Sequence, residues 1–183
     1  MMEHTELVGD AWLWAHPAVS FSCGYFAYDQ LDMLIYKLHS GAIPSILLHH
    51  FLLLICFTLA LYRNVTINYL TLTLICELHS IFLHVRKLRR MAGILDGGSK
   101  VVKMEWAANW STFVVARLVS HAFITMKLIA DSSKFEKGVA LPLALLGMAG
   151  MNLLNIGLGR DLLYAFKKEM NLSGTTSTHH HTN

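Results

Sequence analysis

Residues 44–62 read PSILLHHFLLLICFTLALY, a run without a single Asp, Glu, Lys or Arg. A bilayer core about 30 Å thick is spanned by roughly 20 mostly apolar residues in helical form, and this run fits that length. Working outward, three more segments read the same way: Ile67 to Val85, Trp110 to Ala130 and Val139 to Leu158. A fifth, Ala11 to Tyr36, is interrupted by Asp29 and Asp32. Hydrocarbon offers no partner for free backbone groups, and no barrel-like alternation is present, so the segments are expected to be helices. The expected fold is all-α, a multi-span transmembrane helical bundle of about five spans.

Composition agrees. Apolar residues make up 54% of the 183 and charged residues 15%, with a formal net charge of +3. A charge this small and dispersed argues against nucleic acid as a partner. Cys23, Cys56 and Cys76 lie inside apolar segments and read as small hydrophobes. No cofactor fingerprint or metal-ligand spacing is found, so no metal is expected. The basic residues Arg86, Lys87, Arg89, Arg90, Lys100 and Lys103, and then Lys167 and Lys168, place their segments in the cytoplasm by the positive-inside rule. Alternation then puts Lys37 and His39 inside, and Glu3, Glu6 and Asp10 outside. The expected organisation is an outside segment 1–10, a membrane domain 11–168 and a polar, disordered cytoplasmic tail 169–183. Trp12, Trp14, Trp106 and Trp110 are expected as interfacial anchors. Gly147, Gly150, Gly157 and Gly159 are expected where helices approach closely.

Polar groups within apolar spans cost several kcal/mol unless they are paired or hydrated. Tyr25, Asp29, Asp32 and Tyr36 share one helical face by their spacing, and that face is expected to turn inward. His49 and His50 diverge by about 100° on their helix and can flank one cavity. Thr73, Glu77, Ser80, His84 and Lys87 form a stripe, Arg117, His121 and Thr125 another, and Asn152 and Asn155 a third. Glu77 is expected to pair with His49, His50 or His84. The candidates for chemistry are His49, His50 and Glu77, and those for lining a lipid site are Tyr25, Asp29, Asp32, Ser80, His84, Arg117 and His121.

Gly24, Tyr25, Phe26, Asp29, Asp32, the His49–His50 pair, and the run Glu77, Leu78, His79, Ser80, Phe82, Leu83, His84, Arg86, Lys87, Leu88 together resemble the TLC domain shared by TRAM, Lag1 and CLN8 proteins. The resemblance covers roughly residues 20–165. Family members carry further hydrophobic segments ahead of the equivalent of Gly24, so it implies a chain short at its N terminus. It also implies two functions. Ceramide synthases in the family join an acyl group from acyl-CoA to a sphingoid amine with a histidine pair, matched by His49 and His50, and an aspartate pair. Glu77 stands at the first aspartate position and Ser80 at the second, so that constellation is incomplete. The nearer branch implies a plasma-membrane protein that regulates phospholipid composition and limits membrane fluidity, without demonstrated catalysis and without a cofactor. Membrane lipids are then the expected partners, with lipid-metabolising membrane proteins beside them, and the endoplasmic reticulum is the alternative location.

Overall fold

The computed structural model describes residues 7–8, 10–36, 43–94, 98–135 and 138–179, with side chains of 43–46 and 172–179 excepted. Glu3, Glu6, Lys37 and His39, which entered the orientation argument, lie outside the described residues, as do His180 and His181. Among the described residues the chain is all-helical, without a strand. Helix α1 is Ala15–Ile35 and α2 is Ile43–Arg63. Helix α3 covers 67–91 and is tightened into a 3₁₀ turn at Leu74–Cys76. Helix α4, Lys100–Ala130, is widened into a π turn at Phe113–Val119, and α5 is Ala140–His179.

Local chemistry sets the ends. Pro17 stands in the first turn of α1, where its missing N–H costs nothing. Asn64, at φ 52°, turns the chain sharply after α2, a left-handed conformation that Asn tolerates. Gly93, at φ 77°, closes α3: its N–H bonds the Arg90 carbonyl, and the Ile94 N–H bonds the Arg89 carbonyl. These two bonds satisfy carbonyls that a helix end otherwise leaves open.

Two helices outrun the expected spans. Helix α4 starts ten residues before Trp110, at Lys100, and α5 continues beyond Leu158 through the residues read as a tail, as far as His179. At 1.5 Å per residue, α5 is about 60 Å long, twice the thickness of a hydrocarbon core. Helices α4, over Lys100–Ala130, and α5, over Ala140–Asn171, are long and apolar enough to cross a membrane; the apolar part of α2, Leu47–Arg63, is shorter.

The chain divides into two compact units, residues 1–74 with 121–154, and residues 75–120 with 155–183. The first unit has an aliphatic and aromatic core around Val19, Phe26, Leu53, Phe57, Ile67 and Met151, with a second group around Tyr69, Ile124, Leu128 and Met148. Gly147 and Gly150 bring α5 against α2: a Cβ at either would lie 2.9 Å from Cys56 Sγ or Leu52 Cδ2. The core of the second unit is Val102, Trp106, Phe113 and Leu162, and a Cβ at Gly159 would meet the Phe113 ring at 2.9 Å. Gly157 has open space around it, so close packing explains three of the four glycines. Trp106 is not an interfacial anchor: it is buried, edge-on to Phe166, with the Arg86 guanidinium 4.5 Å above its ring.

Candidate functional site

In the first unit the inward stripe of α1 is Ala15, Val19, Phe26 and Met33. Asp29 falls between Phe26 and Met33 on that stripe. Tyr25 and Tyr36 lie on the surface, and Asp32 is half-buried. The expected inward face is therefore turned by about one position. Apolar side chains take the interior, and amphipathic phenols tolerate the outside. Asp29 reaches His50, whose Nδ1 lies 3.2 Å from the Asp29 Oδ2. The His50 ring is buried, 5.2 Å from Phe26 and 5.6 Å from His49, centroid to centroid. The separation from Asp29 is that of an ion pair and sets the carboxylate beside the imidazole ring. His121 is also buried in this unit, its carbonyl accepting a hydrogen bond from Thr125 Oγ1. Thr125 in turn accepts one from Asn152 Nδ2, at 3.2 Å.

In the second unit a buried guanidinium organises the polar groups. Arg117 stands in the π turn of α4 and donates to Ser80 Oγ at 3.0 Å and to Asn155 Oδ1 at 3.2 Å. Such turns re-aim a side chain that a regular helix would present elsewhere. Two residues singled out from sequence, Ser80 and Arg117, are thus in direct contact. Glu77 is half-buried and accepts a hydrogen bond from the thiol of Cys76 at 3.5 Å. His79 is wholly buried against Phe113, within electrostatic reach of Arg117 and Glu77. Neither of its ring nitrogens has a hydrogen-bond partner among the described residues. His84 and Lys87, from the same expected stripe, are exposed. In this unit the inward positions of α3 are Cys76, His79 and Arg89, again about one position from the expected stripe.

Sequence reasoning missed His79 as a site residue because it lies off the Thr73-to-Lys87 stripe. It also missed an ionic cluster. Arg86 pairs with Glu169 at 3.0 Å and with Glu105 at 3.9 Å, while Arg89 bonds Glu105, Glu169 and the carbonyl of Ile94. Asn109 donates to Glu105 and to the Phe82 carbonyl. Burial works against the charge on Arg89, but the hydrogen bonds it donates to Glu105 and Glu169 outweigh it and hold the guanidinium above its ordinary pKa.

The model of the TLC domain matches residues 2–163. TLC domain-containing protein 2 of Danio rerio is 30% identical over 153 residues, 82% of this chain and 60% of that protein. The Mus musculus protein of the same name is 30% identical over 80% of this chain and 45% of its own length. The Homo sapiens protein is 28% identical over 79% and 52%. The chain thus spans about half to three-fifths of the relatives it matches. No solved structure matches significantly. The branch that carries the sequence resemblance is that of TLC domain-containing proteins 1 and 2, and all three relatives named are protein 2. Two membrane-length apolar helices accord with this kinship, and the chain belongs to the TLC domain family.

Proposed function

We propose that this is a multi-pass membrane protein that regulates membrane phospholipid composition and, through it, fluidity, with the plasma membrane as its site of action. The observation that carries the reading is the likeness to TLC domain-containing protein 2 over about four-fifths of the chain. Polar clusters held within apolar helices support it: Asp29 with His50 in one unit, and Ser80, Arg117 and Asn155 in the other. Intramembrane polar groups are expensive, and sites for polar parts of lipids are a use that offsets their cost. The five expected spans, the cytoplasmic placement of the 86–103 region and of the Lys167–Lys168 end, and membrane lipids as partners belong to the same proposal.

A second reading, a lipid acyltransferase fed by acyl-CoA, is favoured by one contact. The Asp29 carboxylate beside His50 Nδ1 is the arrangement that lets an imidazole accept a proton from an attacking amine or hydroxyl. Lipid profiling of cells with and without the protein separates the two. A changed polyunsaturated content of phospholipids, with ceramide chain lengths unaltered, is expected. A changed ceramide profile alone would replace the first reading by the second. Exchanging both His49 and His50 for Ala should abolish the phospholipid change while leaving the protein in the membrane.

A further inference from the structure

The first unit holds a cavity of about 220 Å³ walled by α2, α3, α4 and α5. Its lining is aliphatic over most of its extent, with Leu52, Cys56, Leu143, Gly147 and Met151 among the wall residues. One end differs: Arg63, the last residue of α2, lines it together with Tyr62 and Thr66. From Leu52 to Arg63 the helix rises about 16 Å, close to half of a 30 Å hydrocarbon core, so the cavity has the length of one leaflet. Arg63 is exposed, and among the described residues no carboxylate pairs with it. A guanidinium at the mouth of an aliphatic groove of leaflet length complements an anionic group attached to an acyl chain. We propose that this groove binds one acyl chain of a bilayer phospholipid, with the lipid phosphate on Arg63. The proposal rests on the lipid-regulating function and gives it a lipid class and a binding position. Arg suits this position because its planar fork can bond two phosphate oxygens at once.

Photolabelling of the whole chain in phosphatidylcholine nanodiscs tests it, with a trace of phosphatidylcholine carrying a diazirine halfway along one acyl chain. Label is expected on Leu52, Cys56, Leu143 and Met151 in preference to the outward Leu146 and Leu153. Arg63→Gln should lower that labelling about tenfold, the scale of one charge-assisted bond, and Arg63→Lys should restore much of it. Diacylglycerol with the same diazirine should label weakly and be indifferent to Arg63→Gln. Ala144→Trp, which fills the groove, should also remove the label, and an unshifted melting temperature would show that the fold has survived. Three results would overturn the proposal: label spread evenly over outward residues, diacylglycerol labelling as strongly as phosphatidylcholine, or groove label that vanishes in nanodiscs holding two copies of the chain, which would assign the groove to a second copy. Cellular phospholipid changes that persist in Arg63→Gln, alongside lost labelling, would separate the groove from the regulatory function and leave the latter standing.

Discussion

The two units solve the problem of polar groups in opposite ways. The first keeps its core almost wholly aliphatic and aromatic, lets glycines bring α5 onto α2, and admits charge at Asp29 beside His50 and at Asp131 by Tyr69. The second places two arginines and two glutamates among aromatic rings and connects all four. The lesson concerns what fails when a part is removed. A dispersion-packed core yields gradually as volume changes, whereas a neutral charge cluster is tolerant only while complete.

The comparison breaks most sharply at Arg89. Arg89→Met leaves Glu105 and Glu169 with Arg86 as the one remaining guanidinium of the cluster, and breaking a buried pair from one side costs about 3–5 kcal/mol. Unfolding titrations in mixed micelles should register that loss. Replacing Arg89, Arg86, Glu105 and Glu169 together by apolar residues of similar volume should recover most of it. If the single variant lost under 1 kcal/mol, the view of the second unit as held by charge would be wrong.

Tyr69 sharpens the contrast within the first unit. Its hydroxyl donates to Asp131 at 2.6 Å, with Lys127 at 3.2 Å and Lys134 at 3.3 Å from the same carboxylate. That hydrogen bond, against the opposing effect of burial and with help from the lysines, holds the Asp131 carboxyl below its ordinary range. A carboxyl depressed in the folded state stabilises fully above the unfolded value of about 3.9, and the contribution is lost as pH falls through the folded value. Tyr69→Phe should cost about 1.5–3 kcal/mol at pH 7 and flatten the fall in melting temperature between pH 5 and pH 3. An equally steep acid limb in the variant would detach Asp131 from Tyr69.

Gly147→Leu and Gly150→Leu test the dispersion-packed face of the first unit. Each inserts volume where a Cβ alone already meets α2, and overpacking of this kind costs about 1–3 kcal/mol. Gly157→Ala, with open space around it, should instead be neutral or stabilise by up to about 1 kcal/mol through helix propensity. Thermal melts of the three variants side by side would show whether packing or propensity governs α5.

Periodicity made the helices legible, since apolar runs of membrane length leave few alternatives. It did not fix which face turns inward. On both α1 and α3 the buried stripe is about one position from the polar stripe, because burial is decided by apolar neighbours on other helices, such as Phe57 and Phe113, that a single-helix projection ignores. Arg86 and Arg89 read as loop charges facing the cytosol, yet they meet Glu169 at a separation of 83 and 80 residues, a pairing no local pattern reveals. The 3₁₀ turn at Leu74–Cys76 and the π turn around Arg117 were illegible for the same reason, being tertiary adjustments within otherwise regular helical sequences.

The smallest expected stability effect belongs to Asp29, and it carries the most about function. Its side chain is 36% exposed while His50 is 10% exposed, so the pair is screened on one side only. Exposed or partly exposed ion pairs contribute about 0.2–1 kcal/mol, and Asp29→Asn should change stability by no more than that. Loss of the carboxylate nevertheless removes the charge that faces the His50 ring. If the dyad acts on lipid, Asp29→Asn should abolish the phospholipid change in cells at unaltered protein abundance, whereas Asp32→Asn, three residues on, should leave it intact. Asp29→Glu, which keeps the charge with a longer reach, should restore part of the effect. An Asp29→Asn variant with full lipid effect would reduce the contact to helix packing and move the functional weight to the buried cluster of Ser80, Arg117 and Asn155.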